Sequence, residues 1–194
     1  MNRLFVLTAL LAVAATQAAA PPLSIDRDHS NLGFSVRHLF THVHGRFKAF
    51  DGRIAFDEAN PAASSVRVSI RADSVDTDVA ARDKDLRSAR FFDAQKFPTL
   101  EFRSTNVEKA TGTRFRVKGD LAMHGITRAV VLDAEFLGKG KDPWGNLRYG
   151  FRATTTVNRK EFGMHWNEAV ETGGVLVGDD VEITLDVEGI VAGG

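Results

Sequence analysis

Residues 81–104, ARDKDLRSARFFDAQKFPTLEFRS, decide how the rest of the chain is arranged. The stretch opens as a short helix over 79–88. Thr77 or Asp78 stands where an N-cap belongs, and Val79, Asp83 and Leu86 fall on one side. Phe91 and Phe92 follow outside any period. Pro98 then forbids helix and holds Phe97 extended. After it, Leu100, Phe102 and Ser104 alternate with Glu101 and Arg103, as in a half-buried strand. The stretch is therefore a crossing between two strand regions. It is too apolar to lie free in water, and it reads as a lid.

Strand patterns surround it on both sides. Upstream, Leu23-Ser24-Ile25 precedes a polar turn over 26–30. Leu32, Phe34, Val36 and His38 then alternate with Gly33, Ser35 and Arg37, and Val66, Val68 and Ile70 alternate with Arg67, Ser69 and Arg71. Downstream, one face carries Phe115, Val117, Gly119 and Leu121, and the next strand Val130, Leu132, Ala134 and Phe136. Tyr149, Phe151, Ala153, Thr155 and Val157 continue the pattern, followed by Val181, Ile183, Leu185 and Val187. Turn residues at Gly112, 138–145 and 173–178 separate them. Asp51-Gly52 predicts a two-residue type I′ hairpin, pairing Phe50 with Arg53 and Lys48 with Ala55. Val43, Gly45, Phe47 and Ala49 then share a face with Ile54 and Phe56, and His42, His44, Arg46 and Lys48 take the other. The whole is eight or nine antiparallel strands with one apolar face each, which must close or stack. Periodicity alone fits a closed barrel and a sandwich equally.

A family resemblance separates the two. Arg82-Asp83, Leu86-Arg87-Ser88, Phe91-Phe92-Asp93, Pro98, Phe102 and Ser104 resemble the central signature of the YceI-like family. Asp28-His29-Ser30 with Phe34, Val36, His38 and Leu39 resembles its opening motif. Gly119-Asp120-Leu121, His124-Gly125-Ile126-Thr127 and Val130 match a later hairpin, and Pro143-Trp144-Gly145 and Asn158-Arg159-Lys160-Glu161-Phe162-Gly163 match its last turn and loop. Family members commonly carry His where this chain has Asp85. The resemblance implies an all-β fold: a single lipocalin-like closed antiparallel barrel of about eight strands with one short helix as lid. It also implies a periplasmic or secreted protein that binds an isoprenoid lipid inside the barrel.

The address follows from the first twenty residues. Arg3 is a positive n-region, Leu4 to Ala15 an apolar run too short to span a bilayer, and Ala18-Ala19-Ala20 an A-x-A cleavage zone. Residues 1–20 are thus expected to be a signal peptide and 21–194 the barrel domain, placed in the periplasm, with secretion outward as the lesser alternative. Proline at 21 disfavours a cut directly before it, so cleavage is expected near 18–20. The chain has no cysteine, so burial and not a disulfide framework must hold it, and no lipid-modified N-terminus can form. Twenty-five Lys and Arg balance twenty-five Asp and Glu, spread along the strands. That excludes a basic surface for nucleic acid and offers no stable membrane insertion.

The inward face narrows the chemistry. It carries Phe34, Phe47, Phe56, Phe102, Phe115, Phe136 and Phe151, with small residues Gly45, Ala49, Gly119, Ala134 and Ala153 among them. A barrel of about eight strands can be packed solid or hold one slender guest. Small inward residues favour a lumen, and a packed core in which small answers large across the barrel remains open. In a lumen the guest is apolar, an isoprenoid lipid or other long chain. Its contacts are Phe34, Val36, His38, Phe47, Phe56, Phe102, Phe115, Leu132, Ala134, Phe136, Phe151 and Ala153, under a lid of Leu86, Phe91 and Phe92. His38, Tyr149 and Thr155 are the polar exceptions, placed to meet a headgroup. A homodimer is left open.

Other chemistries find less support. His42 and His44, spaced i, i+2, could put two imidazoles on one face, but that face holds Arg46 and Lys48 and supplies no third ligand. His29, His38, His124 and His165 are scattered and suit structural hydrogen bonds. Asp83, Asp85 and Asp93 lie among Arg82, Lys84, Arg87 and Arg90, an arrangement that suits ion pairs fixing the lid. No GxSxG, HExxH, P-loop or GxGxxG pattern is present, so no catalytic residues, metal or cofactor are assigned. The alternatives to lipid carriage are a hydrolase-type or metal-using enzyme at the barrel mouth and a structural or stress-response barrel without ligand.

Overall fold

The computed structural model describes residues 22–169 and 175–191. The expected signal peptide and the Gly173 and Gly174 part of the last expected turn lie outside them. The strands are β1 (Pro22–His38), β2 (Thr41–Phe47), β3 (Phe50–Ala55), β4 (Ser65–Arg71), β5 (Val75–Asp76), β6 (Thr99–Thr111), β7 (Arg114–Met123), β8 (Ile126–Lys141), β9 (Leu147–Asn158) and β10 (Val177–Val191). One α-helix, α1 (Ala80–Arg87), falls where the lid was expected.

Eight of the strands close a barrel in the order β10-β9-β8-β7-β6-β4-β3-β1, with β10 returning to β1. β1 is the unusual member. Its first residues, Pro22 to Ser24, pair with β3, and its later ones, Leu32 to His38, pair with β2. β2 and β3 thus lie one after the other along the edge of β1 that β10 leaves free. The two-residue β5 pairs with the end of β2, and the helix α1 with the segment 88–98 follows over the same end.

Two local expectations are corrected. Asp51-Gly52 is not a turn: β3 runs straight through it, with Phe50 opposite Ile70 and Arg53 opposite Arg67 on β4. The chain reverses instead at Leu39-Phe40, and β2 passes into β3 through Lys48-Ala49 without reversing, both strands running antiparallel to β1. At Lys48-Ala49 the backbone is tied by Lys48 N–H to the Ser74 carbonyl (3.1 Å) and by the Ala49 carbonyl to Arg71 N–H (2.9 Å). Glycine is needed at 52 for space, because a Cβ there would meet the Arg67 carbonyl at 2.6 Å and Ile25 Cδ1 at 2.7 Å. The two-residue hairpin with both central residues at positive φ lies elsewhere, at His124 (φ 52) and Gly125 (φ 76) between Met123 and Ile126. Similarly, 26–30 is no turn but an irregularity inside β1, where the pairing with β10 shifts between Asp26 and Asn31.

The face expected to point inward does so. Leu32, Phe47, Ile54, Leu100, Phe102, Phe115, Val117, Leu132, Phe136 and Val157 are buried, and His42, His44 and Arg46 are exposed. The hairpin predicted for Asp51-Gly52 was wrong, but Ile54 still faces in because two-residue alternation along β3 does not depend on the turn.

Candidate functional site

The barrel encloses a cavity of about 270 Å³ running between two clusters of apolar side chains. Its lining is almost wholly apolar, with Ser64, Thr155, Glu135 and Arg159 as the polar exceptions. Many inward residues, Val36, Val68, Ala134, Phe151, Ala153, Ile183 and Leu185 among them, are only half-buried although they face away from bulk water. In a solidly packed barrel such positions would be closed. They are open because the space they face is not filled by protein.

Most of the residues expected to touch a guest line this cavity: Phe34, Val36, Phe47, Phe56, Phe102, Phe115, Leu132, Ala134, Phe151 and Ala153, with Leu86, Phe91 and Phe92 of the lid. Two do not. His38 pairs with Thr41 at the end of β1 and stands outside the lining, as the strand shifts register there. Phe136 is buried behind the lining, stacked on Phe56 at 4.9 Å and Phe151 at 5.5 Å. Tyr149, expected as a headgroup contact, packs against Phe136 at 6.1 Å and is likewise outside, whereas Thr155 lines the cavity.

The small inward residues divide into two kinds. A Cβ at Gly45 would lie 2.3 Å from the Phe34 ring, and one at Gly119 2.5 Å from the Phe102 ring. Those glycines make room for aromatic rings. Ala134 and Ala153 are direct partners across β8 and β9, and both face the cavity. Small answers large at the glycines, and a lumen remains at the alanines.

The lid is fastened differently from the expected ion pairs. Val79 occupies the N-cap position without a side-chain cap. The carboxylate of Asp83, buried within α1, reaches back to accept from Thr77 N–H (2.8 Å) and Thr77 Oγ1 (2.6 Å). Arg82 donates to the Thr77 hydroxyl and carbonyl, and Arg87 to the carbonyls of Asp73 and Val75. Of the three aspartates expected to fix the lid, Asp83, Asp85 and Asp93, Asp85 alone pairs with a cation, Arg90 at 3.2 Å. Arg90 also lies over the Trp166 ring at 4.1 Å, and Phe91 meets that ring at 5.2 Å.

At the far end of the barrel, Asp26, His29 and Glu188 offer ligand atoms within 4.8 Å of one another, a set that could attract a cation. Arg148 already fills that role. It donates to Asp26 (2.6 Å), to Asp142 (2.7 Å) and to Glu188. Burial pushes the Asp26 carboxyl up, but the Arg148 and His29 hydrogen bonds outweigh it and hold it down at about 2. His42 and His44 stand exposed on the outer face.

A profile of the YceI-like domain matches residues 23–189. The chain belongs to the YceI-like family. Among its relatives, a UPF0312 protein of Photorhabdus laumondii is 38% identical over 182 residues, covering 93% of this chain and 91% of the relative. Burkholderia cenocepacia BcnA superposes with a TM-score of 0.76 at 22% identity, over 84% of this chain and 98% of that one. A polyisoprenoid binding domain from Saccharophagus degradans, implicated in plant cell wall breakdown, superposes at 0.65 and 15% identity, over 90% of this chain and all of its own.

Within this YceI-like barrel, periodicity gave no role to the loop after β9. Phe162 is 1% exposed and Met164 5%, and both join the cluster under the lid. Arg159, in a short 3-10 turn (Arg159–Phe162), is buried and donates to the carbonyls of Gly178, Met164 and Trp166 at 2.6–2.9 Å. It pins the loop bearing Trp166 against the barrel. The only available signal was the Asn158–Gly163 motif, since isolated side chains in a loop carry no period.

Proposed function

We propose that this protein carries or stores a long isoprenoid lipid, of polyprenol or isoprenoid-quinone type, with its tail inside the barrel. The observation that carries the reading is the row of inward side chains left half-open around an apolar cavity. Sequestering ~400 Å² of lipid surface would contribute on the order of 10 kcal/mol before ordering costs. The neighbouring polyisoprenoid binding domain is consistent with such a guest. The site residues are those that face the cavity, from Phe34 and Phe47 to Ala153, under Leu86, Phe91 and Phe92. Shape selects the guest, because so few polar groups face it.

The proposed setting is the periplasm, after cleavage of the signal peptide near residues 18–20, and the proposed role is non-catalytic. Among the described residues, the carboxylates that could serve as bases at the two ends of the barrel are already engaged. Asp83 is committed to Thr77, and Asp26 and Glu188 to Arg148. Mass spectrometry of an organic extract from protein purified from periplasm tests the reading. A prenyl-type lipid at near one equivalent is expected. A folded protein that yields none, and takes up no added polyprenol, would sink it.

A further inference from the structure

Four phenylalanines meet at the end of the barrel away from the lid. Phe56, just after β3, crosses the interior to reach Phe115 on β7 (5.4 Å, edge-on), Phe136 on β8 (4.9 Å) and Phe151 on β9 (5.2 Å, edge-on). The order of strands in the barrel puts β3 well away from β7, β8 and β9, so these rings span the cross-section. Phe115 and Phe136 are buried, at 5% and 8% exposure. The loop that carries Phe56 is held in place. Asp57 Oδ1 accepts from Ala59 N–H and Asn60 N–H, Ser64 Oγ accepts from Asp57 N–H, and Glu58 bridges to Lys139 on β8 at 3.5 Å.

We infer that this aromatic plug is a ruler: Phe56 sets the length of apolar tail that the barrel accepts. The inference rests on the lipid-carrier reading and adds the chain length of the guest to it. Both ends of the cavity are bounded by aromatic rings, but they differ in construction. At the lid, Phe91 and Phe92 sit on a segment outside the barrel wall, whereas Phe56 is wedged among rings on three wall strands. A guest enters past the part that can lift away, so its tail tip ends against the plug. From Phe115 at the plug to Met123 at the mouth, β7 covers ~27 Å of strand and, at a tilt near 40°, about 20 Å along the axis. An extended isoprenoid advances about 5 Å per unit over four carbon–carbon bonds. Some four units therefore fit between lid and plug, and any more must fold back or protrude.

Removing the Phe56 ring opens room for about one further five-carbon unit, since a cavity left by a buried ring is only partly closed by relaxation. The test is calorimetric titration of delipidated full-length mature protein with geraniol, farnesol, geranylgeraniol and geranylfarnesol. For the wild-type chain, affinity should rise to geranylgeraniol and then stop rising. Phe56→Ala should move that limit one unit longer, changing the geranylfarnesol-to-geranylgeraniol affinity ratio by about tenfold, a step of one decade in Kd. Ala134→Leu, beside the plug and opposite Phe115, should move it one unit shorter. It carries the test alone if Phe56→Ala fails to fold. If no prenyl alcohol binds the wild-type protein, the carrier reading itself falls and the ruler with it. If all four bind but neither variant shifts the limit, the carrier reading stands and the ruler is wrong. A length limit that vanishes altogether in Phe56→Ala would make the plug a second gate and overturn the ruler.

Discussion

The Phe47 ring, at the end of β2, meets the Phe92 ring of the lid edge-on, with centroids 5.5 Å apart. This is the one aromatic pair joining the lid to the barrel strands among the described residues. An edge-to-face pair contributes ~0.5–1.5 kcal/mol beyond its buried area. Phe92→Ala should therefore speed transfer of bound prenyl lipid to acceptor vesicles about tenfold. The β-sheet circular dichroism should be unchanged. Transfer at the wild-type rate would mean the lid does not gate release.

Ala153 faces the cavity opposite Ala134. Ala153→Phe should abolish lipid retention and leave the fold intact, because the new ring occupies space the guest uses. In a solid core the same change would overpack and cost ~1–3 kcal/mol. Lipid extraction and a thermal melt on this one variant separate the outcomes. Retained lipid with an unaltered melt would remove Ala153 from the guest's path.

The Asp83 carboxylate accepts both the backbone N–H and the hydroxyl of Thr77. Asp83→Ala strands two buried donors, at ~1–3 kcal/mol each. The loss should appear as faster amide exchange across 77–98 with slower exchange retained in β7 and β8. Asp83→Asn keeps one acceptor and should lose less. Equal exchange in both variants would argue against this fastening.

How much of this was legible in the chain follows from what each residue type signals. Alternation along β7 to β10 survives folding because it is a property of the strand itself, so Leu132, Phe136 and Leu185 were read onto the inward face, although Phe136 lies behind the cavity lining. Asp51-Gly52 misled because turn chemistry is local, while the need for glycine at 52 comes from Arg67 and Ile25, distant in sequence. Gly52→Ala should consequently lower the melting temperature through the clash, an outcome that a solvent-exposed turn would not produce. Arg159 and Phe162 were invisible to periodicity, since their burial depends on a loop folding back onto the barrel. Gly45 and Gly119 looked like lumen markers and proved to be seats for rings.

The Asp26–Arg148 contact gives a pH dependence with a definite sign. Asp26 is held at about 2, below its unfolded value near 3.9, as burial is outweighed by Arg148 and His29. The stability it supplies is complete above roughly pH 4 and is lost as pH falls toward 2. Asp142 is depressed too, with Arg148 again opposing the cost of burial, so its contribution goes in the same direction and disappears in acid. Melts of the wild-type protein should fall over that window. Arg148→Met should be less stable at neutral pH and lose little more on acidification. A parallel pH profile in the two proteins would refute the assignment.

The seam between β1 and β10 pairs Leu23 with Val191 and Val36 with Val181, residues from opposite ends of the chain. Loop closure over such a separation is entropically costly and topologically slow. Barrel closure should then be the last event in folding, after β6 to β10 have formed their meander of neighbouring hairpins. Until then both β1 and β10 present open backbone edges, which invite pairing with other chains. A polypeptide still emerging during synthesis cannot complete this seam before β10 arrives. Protection of those edges against pairing with other chains thus waits on one fifteen-residue strand, Val177–Val191.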